Sequence, residues 1–554
     1  MRRETAGYRS HGEYMKGKRM RYNKRIGIFS LGLALALGLP AIASHAQGLL
    51  RIAMTAPDIP TTTGTPNSGL EGVRFLGYPV FEGLVLWDLS NPNQPADIRP
   101  GLAQSWEQNA KNPSAWTFHL RKGVRFHDGS TFDADAVVWN MERFFNSKAK
   151  QFEPQASAII RGKVPHIASW QKIDAYTFEL TTERPVSYIP YLLTQMLFSS
   201  PTQFEKLGSW EKFAAQPSGT GPFQVVKVVS RVSVELARFD GYWDRSKVAK
   251  LDGIILYPMA EATTRLAALR SGQVDWIEVP PPDAVPSLKA AGFQITTGPY
   301  PHVWPWVFNL AKADSPFRDV RVRRAANYCV DRKGLVALLN GVAKPARGFY
   351  DETNPLFGKP TENYTYDSQK AKKLLTDAGY SATKPVHAKI MISTSGSGQM
   401  LPVPMNEFLQ QQMRECWFDV SFEVVDWGTM LVGLRSAPTG PQARGSDAMN
   451  ISLVSSDVSQ MARFFLKKNQ SPNGSNWGHW ENEAFEKTFG TIEASSDQKE
   501  IRANVTKAHE ILVDDAPWLF IVNDLNARAM SSRVRGFVSA NSWFQDFTRI
   551  SIAN

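Results

Sequence analysis

Alternation of apolar and polar residues is the clearest structural signal in this chain, and it is strongest in the segment that begins at Trp116. Trp116, Phe118 and Leu120 alternate with polar neighbours, which predicts a strand with one buried face and one wet face. A turn at residues 122–123 is followed by a shorter run of the same period, residues 124–126. The two runs together predict a hairpin.

A predicted helix follows this hairpin, after a second turn at residues 127–129. Asp133 stands at the helix N-cap, where a carboxylate accepts hydrogen bonds from free backbone N–H groups. The apolar positions that predict the buried stripe of this helix are Val137, Met141, Phe144 and Phe145. Their spacing places all four on one helical face.

Strand and helix patterns alternate along the rest of the chain and predict an α/β protein. Residues 49–53 predict an opening strand, and residues 265–276 predict a short helix followed by another strand. Asp367 caps a further predicted helix, which Gly379 ends. A chain of about 500 residues exceeds what one hydrophobic core accommodates, so we expect at least two lobes.

The first residues of the chain have the zones of a secretory signal peptide. Basic residues precede an apolar run at residues 26–39, and small residues follow it. This run is shorter than the ~20 residues that span a bilayer. We expect export with cleavage after Ala46, and Met15 and Met20 are alternative starts that also leave a conventional signal peptide. Because no cysteine lies near this cleavage site, we expect a free periplasmic protein without a lipid anchor.

The net charge of the chain is much smaller once this segment is set aside. The whole chain carries +11, but residues 1–47 hold nine Lys/Arg and two Asp/Glu, so the remainder carries only +4. No basic run with interleaved aromatic residues occurs in that remainder. We therefore expect no nucleic-acid partner.

Cys329 and Cys416 are the only cysteines. An oxidising compartment permits them to pair. Cys329 follows Val322, Ala325 and Ala326 on the apolar side of a predicted helix, which favours two buried free thiols.

Several motifs suggest chemistry and are better explained by local structure. His127 and Asp128 lie in a turn between strand and helix, and the glycines at residues 219–221 lack the lysine of a phosphate-binding loop. The serines at residues 393–398 lack the pattern of a nucleophile elbow. The histidines show no metal-ligand spacing. We expect no catalytic residues, no metal and no cofactor.

The segment from Pro100 to Phe145, which contains PGLAQSW and WTFHLRKGVRFHDGSTFDADAVVWNMERFF, resembles the signature of a known family. That family is the family 5 extracellular solute-binding proteins of ABC importers, the dipeptide, oligopeptide and nickel-binding group. Further blocks at residues 219–244, 265–276 and 364–380 are similar to the same family. The resemblance extends over roughly residues 49–545.

The resemblance implies an α/β fold of two lobes, the periplasmic binding protein fold of type II and cluster C, with an extra subdomain in the first lobe. The expected division is a signal peptide at residues 1–46, lobe I at 47–297 and lobe II at 298–519. Residues 520–554 then return to lobe I, and the subdomain spans about residues 90–210. The hinge crossings are expected near residues 298–303 and 518–524.

The implied function is capture of a peptide or peptide-like amine between two closing lobes, followed by delivery to ABC permease subunits in the inner membrane. Such a protein is expected to be a monomer. An oligosaccharide, an opine-like conjugate and a metal chelate are the alternative ligands. A secreted hydrolase on the same scaffold is the alternative from another class, and it lacks a recognisable catalytic motif.

The resemblance also implies five candidate ligand-binding residues. Asp457 falls on an aspartate that pairs with the ligand's amino group in peptide-binding relatives, although it also suits a loop cap. Trp427, Trp304 and Trp306 match aromatic positions of the ligand wall, and core packing is the alternative for each. Glu71 follows an early loop and is either a polar ligand contact or a solvated surface residue.

Overall fold

The computed structural model describes residues 48–298 and 300–553, so the predicted signal peptide and its cleavage site lie outside the described residues. The strands are β1 (Leu49–Met54), β2 (Val85–Trp87), β3 (Ile98–Pro100), β4 (Ala103–Gln108), β5 (Ala115–Leu120), β6 (Ile167–Asp174), β7 (Thr177–Thr182), β8 (Phe223–Val229), β9 (Ser233–Arg238), β10 (Gly253–Pro258), β11 (Trp276–Glu278), β12 (Gln294–Thr296), β13 (His302–Phe308), β14 (Ala343–Pro345), β15 (Val386–Ser393), β16 (Phe418–Val425), β17 (Ala448–Asn450), β18 (Leu453–Val454), β19 (Trp518–Asp524), β20 (Arg528–Met530), β21 (Val534–Arg535) and β22 (Ser551–Ile552).

The α-helices lie between these strands. They are α1 (Gly69–Gly72), α2 (Ala134–Phe145), α3 (Pro154–Arg161), α4 (Ile189–Leu193), α5 (Pro201–Leu207), α6 (Trp210–Ala215), α7 (Ala262–Arg270), α8 (Val285–Ala290), α9 (Val320–Tyr328), α10 (Arg332–Leu338), α11 (Ser368–Asp377), α12 (Pro402–Glu415), α13 (Trp427–Leu434), α14 (Val458–Phe465), α15 (Glu483–Ala494) and α16 (Gln498–Asp515). Short 3₁₀ and π turns connect several of them. In the described part of the chain, no helix has both the length and the hydropathy needed to cross a membrane.

Two mixed sheets form the bodies of the two lobes. The first has the order β12-β20-β11-β1-β10-β9-β8, in which β1 runs parallel to β10 and β11. The second has the order β14-β19-β13-β17-β15-β16, and β15 runs parallel to β16 and β17. Helices accompany the strands in both lobes, so the α/β prediction is confirmed.

A separate antiparallel sheet, β4-β5-β7-β6, forms the extra subdomain of the first lobe. The alternation that begins at Trp116 does form a strand, β5, with Phe118 and Leu120 buried. The predicted hairpin is wrong, because β5 pairs with β4 and β7 and not with residues 124–126. Those residues contribute only an isolated bridge between Arg125 and Thr131. Local alternation identifies a strand, but its partners are set by chain packing.

The predicted helix caps are confirmed. Asp133 accepts a hydrogen bond from Ala136 N at the start of α2, and Asp367 accepts one from Lys370 N at the start of α11. Gly379 follows α11 with a φ of +88°, a conformation that glycine adopts without strain. Val137, Met141 and Phe144 of α2 are buried, while Phe145 is half-buried.

The chain passes between the two large sheets twice. It leaves the first sheet after β12 and enters the second at β13, and it leaves the second sheet after β19 and re-enters the first at β20. The connecting segments are therefore residues 297–301 and 525–527. The lobe boundaries given in the sequence analysis stay a prediction.

Cys329 and Cys416 form a disulfide, so the expectation of two free thiols is wrong. Their Cα atoms lie 6.1 Å apart, and both residues are fully buried. Cys329 ends α9 and Cys416 ends α12, so the bond joins the C-terminal ends of two helices of the second lobe. An apolar helix position is compatible with a disulfide as well as with a free thiol, and local spacing does not separate the two.

Candidate ligand-binding cleft

A cleft of about 450 Å³ lies between the two lobes. The first lobe contributes α1 through Leu70, and its subdomain contributes α3 and the turn that follows it. The second lobe contributes β13, α13, α14 and the segment between β17 and β18. A cavity of this volume suits a small molecule or a short peptide, and its walls come from parts of the chain that the two crossings connect.

One wall of the cleft is apolar and aromatic. Trp427, which is 9% exposed, lies there with Leu431 on α13 and Phe464 on α14. The backbone of Gly396 packs against the Trp427 indole so closely that a Cβ atom would lie 2.2 Å from the ring. A glycine at residue 396 is therefore needed for the indole to keep its position in the wall.

Four cationic side chains line the same cleft: Arg161 and Lys163 from the subdomain, and Arg435 and Arg463 from the second lobe. Burial, with smaller contributions from the nearby charges of Arg463 and Arg435, lowers the pKa of Lys163 to about 7. Burial likewise lowers the pKa of Arg463 to about 10, with a smaller contribution from Arg435. No Asp or Glu is among the described residues that line the cleft.

His302 of β13 also lines the cleft. Its ring is buried in a cluster with Tyr300 and Trp543, in which its centroid lies 4.8 Å from each of the other two and theirs lie 4.7 Å apart. Its Nδ1 atom is hydrogen bonded to the Ser452 hydroxyl, and its Nε2 atom has no partner in the described part of the protein. Burial lowers the pKa of His302 to about 3, so the ring is neutral near pH 7.

Asp457 is 8% exposed and is not among the residues that line the cleft, although α14, which it caps, carries Arg463 and Phe464 of that lining. It caps α14, accepting hydrogen bonds from Ser459 N at 2.8 Å and from the Ser456 hydroxyl at 2.5 Å. Burial raises its pKa, and among the described residues no cation pairs with it. The geometry therefore gives Asp457 the capping contacts, and its role toward a ligand amine stays a prediction.

Trp304 and Trp306 lie in the core of the second lobe. Both are buried, and their indole N–H groups donate to Gln399 Oε1 at 2.7 Å and Asn406 Oδ1 at 2.8 Å. Neither is among the residues that line the cleft. Of the three tryptophans proposed from the sequence, the geometry brings only Trp427 to the cleft wall.

Glu71 is buried in α1 and is not a solvated surface residue. Its carboxylate accepts hydrogen bonds from Thr55 N at 2.6 Å and Thr55 Oγ1 at 2.7 Å. Burial raises its pKa, and the charge of Arg74 opposes that effect. Its neighbours Gly69 and Leu70 line the cleft, so Glu71 fixes the segment that carries them.

The lobes also touch at a second place, outside the cleft. Glu493 of α15, in the second lobe, pairs with Arg184 of the subdomain and accepts a hydrogen bond from Tyr188 OH at 2.6 Å. Lys468 of the second lobe binds both oxygens of the same carboxylate at 2.8 Å. This contact joins the subdomain directly to the second lobe.

The cationic lining and His302 were not found from the sequence. The four cations come from three separate segments, and each one alone is an ordinary basic residue near the end of a helix. They come together only because the fold places α3, α13 and α14 around one cleft. No spacing rule within any one segment could have identified them.

Comparison with known proteins gives the same architecture and a family. Residues 97–472 match the family described as "Bacterial extracellular solute-binding proteins, family 5 Middle". The dipeptide-binding protein of Escherichia coli (strain K12) is 24% identical over 550 residues, 96% of this chain and 99% of that protein. Heme-binding protein A of Haemophilus influenzae is 27% identical over 489 residues, 82% of this chain and 84% of that protein.

Among solved structures, the periplasmic binding protein DppA from Helicobacter pylori, in complex with the peptide STSA, has a TM-score of 0.78. It is 22% identical and covers 92% of this chain and 99% of its own. The similarity confirms the two-lobed type II fold, and the family match spans well over half of the chain. The resemblance carried by the segment around Trp116 is thus confirmed, and the chain belongs to the bacterial extracellular solute-binding proteins of family 5.

Proposed function

We propose that this protein is the periplasmic substrate-binding subunit of an ABC importer, which captures a peptide or peptide-like amine between its lobes. The cleft carries this proposal: its walls come from both lobes, and its volume of about 450 Å³ suits a short peptide. Relatives that are named for dipeptide and oligopeptide binding support the ligand class. Closure of the lobes buries the ligand, and the closed shape is what permease subunits distinguish.

Export and assembly belong to the same proposal. The signal peptide directs the protein to the periplasm and is cleaved after Ala46. The mature protein works there as a monomer and docks on permease subunits in the inner membrane. The apolar run at residues 26–39 with the basic residues before it supports export.

Capture without chemistry is favoured over hydrolysis. The pair of His302 and Ser452 is the arrangement at the cleft that comes nearest to a nucleophile with its base. A general base works best with a pKa near the working pH, whereas the pKa of His302 is lowered to about 3. Within the described residues, no group of three or more metal-ligating side chains is placed to hold a metal ion.

The test is a binding screen of the purified protein against short peptides, opines, oligosaccharides and metal chelates. A peptide at 100 times its Kd should stabilise the protein by about 2.7 kcal/mol in thermal unfolding. X-ray scattering should show compaction with the same ligand, and chromatography should recover the ligand intact. Stabilisation by an oligosaccharide or a chelate, with none by any peptide, would overturn the peptide assignment.

A pair of neighbouring residues on α13 provides a matched control. Leu431 lines the cleft, whereas Val432 points to solvent and is 54% exposed. Leu431→Ala should weaken peptide binding by about 1–2 kcal/mol, because it removes wall area that the ligand covers. Val432→Ala should leave binding unchanged. Equal effects of the two variants would show that the ligand binds elsewhere.

A further inference from the structure

Every charged side chain among the described residues that line the cleft is positive. Arg161, Lys163, Arg435 and Arg463 line it, and the described residues of its lining include no carboxylate. Lys163 and Arg463 are half-buried, while Arg161 and Arg435 are exposed at the rim. The remainder of the chain beyond residue 47 is close to neutral, so this concentration of positive charge is local.

These cations are not neutralised by the protein. Among the described residues, none of the four forms an ion pair. Arg463 donates only to neutral groups, Ser475 Oγ at 3.0 Å and Gln460 Oε1 at 3.4 Å. Arg161 donates to the Phe145 carbonyl at 2.8 Å and to Ser157 Oγ at 3.3 Å. In the described part of the chain, the side chains of Lys163 and Arg435 make no hydrogen bond.

Positions at helix ends explain three of the four cations separately, but they do not explain why the four converge on one cleft. Arg161 ends α3, Arg435 follows α13 and Arg463 lies in the last turn of α14, where a positive charge interacts favourably with the helix dipole. That interaction is satisfied equally well by a side chain that points to open solvent. Here the positive charges converge from two lobes, and like charges facing each other across a partly desolvated gap oppose closure.

A second observation also indicates an absent partner. His302 is 3% exposed and lines the cleft, and its Nε2 atom has no hydrogen-bond partner in the described residues. Buried polar atoms are normally satisfied, so an unpaired one at a cleft wall indicates a group that arrives from outside. In the tautomer whose Nδ1 accepts from the Ser452 hydroxyl, the proton is on Nε2, which can then donate to an anion.

We infer that the ligand of this cleft carries at least two negative charges, as an acidic peptide or a peptide-like polycarboxylate does, and that they bridge Arg161 and Lys163 to Arg435 and Arg463. This inference rests on ligand capture in the cleft as proposed above. The anionic groups replace repulsion between the lobes by attraction to both. They therefore promote closure, and a neutral ligand of the same size leaves the repulsion in place.

The test compares two peptides that differ in side-chain charge with a tricarboxylate that is not a peptide. The probes are alanyl-glutamyl-glutamate, its amide isostere alanyl-glutaminyl-glutamine, and tricarballylate, a tricarboxylate without an amine. Titration calorimetry should show the acidic peptide binding about tenfold or more tighter than the amide isostere, since charge-assisted contacts in a cleft strengthen binding by at least that factor.

Three variants assign this preference to the cleft. Arg435→Gln and Lys163→Gln each remove a charge whose side chain has no other hydrogen bond in the described residues, and each should reduce the preference about tenfold. Lys507→Gln makes the same charge change on the exposed face of α16, away from the cleft, and should leave the preference unchanged. Thermal unfolding of each variant without ligand confirms that it folds.

The possible outcomes test peptide capture and the polyanionic ligand separately. A preference for the acidic peptide that is lost in the cleft variants supports both. Binding of tricarballylate alone supports the polyanion and overturns peptide capture. An amide isostere that binds as tightly as the acidic peptide, or a preference that survives both cleft variants, overturns the inference and leaves capture standing. Failure of all three probes to bind also overturns it.

Discussion

At the scale of single residues, four cations line the cleft, and one buried carboxylate caps the helix that carries one of them. Asp457 was chosen from the sequence because a buried ammonium group needs an opposite charge. In the structure it caps α14, and its raised pKa shows that burial disfavours its charge in the absence of a cation. A ligand amine is the kind of partner that would remove this cost.

Asp457→Asn separates the capping role from the charge. Asparagine caps helices as well as aspartate does, so the free energy of unfolding should change by less than about 0.5 kcal/mol. Binding of a ligand with a free amine should weaken by about 2–5 kcal/mol, and binding of its N-acetylated form should not change. Calorimetry on both ligands gives the comparison, with Asp367→Asn, the same change at the cap of α11, as the control. Equal losses for both ligands would refute the amine contact.

The lowered pKa of Lys163 predicts that anion binding depends on pH. Burial, followed by the charges of Arg463 and Arg435, lowers its pKa to about 7 in the ligand-free protein. A bound anion favours the protonated amine and raises this pKa, so binding above about pH 7 takes up a proton. Affinity for an acidic peptide should be flat below about pH 6 and fall by up to about tenfold per unit above pH 7.

Two neighbouring groups of the cleft have pKa values outside this window. Arg463, whose pKa is about 10, remains charged, and His302, with a pKa of about 3, remains neutral. Calorimetry at pH about 8 in buffers of different ionisation enthalpy should detect uptake of about one proton, and Lys163→Gln should abolish it. An affinity that does not change between about pH 6 and pH 9 would exclude a role for this amine.

At the scale of elements, the sequence predicts what depends on neighbours in the chain. The strand β5, the capped helices α2 and α11 and the turn at Gly379 all follow from spacing within about 15 residues, and all are present. The partners of β5 and the burial of Glu71 depend on segments that approach through folding, and here the expectations were wrong. The family resemblance supplied the long-range architecture that local patterns lack.

The disulfide between α9 and α12 also depends on two segments that are distant in the chain. Cys329 and Cys416 are 87 residues apart, so their bond closes a long loop in the unfolded chain. Replacing both by alanine should lower the free energy of unfolding by about 2–5 kcal/mol, because the unfolded state regains that freedom. Urea unfolding provides the measurement. A reducing agent should bring the native protein to the level of the double variant and leave the variant unchanged; a thiol assay that finds two free cysteines would contradict the bond.

At the scale of the whole molecule, two regions join the lobes with opposite electrostatics. In the cleft, cations face cations, so their repulsion opposes closure when no ligand is present. At Glu493, a carboxylate of the second lobe meets Arg184 and Tyr188 of the subdomain, so this region favours closure with or without ligand. The balance between the two sets how often the ligand-free protein closes, and hence how much of the binding energy is used to close it.

Glu493→Gln tests this balance. The variant keeps a hydrogen-bond acceptor for Tyr188 but removes the charge that Arg184 and Lys468 bind, which should weaken the closed form by about 1–2 kcal/mol. Ligand affinity should fall by a factor of about 5–30, because the closed form that binds tightly is populated less. X-ray scattering should show a larger radius of gyration without ligand and the native value at saturating ligand.

Glu486→Gln is the matched control for this experiment. Glu486 lies about two turns earlier on the same α15, and among the described residues its carboxylate accepts only from Lys467 N, within the second lobe. Its loss should leave both affinity and radius unchanged, because no contact between the lobes depends on it. If the two glutamine variants behave alike, the Glu493 contact stabilises the second lobe and not its closure. If Glu493→Gln alone lowers affinity while the saturated radius stays native, closure is limited by electrostatic contacts on both sides of the cleft.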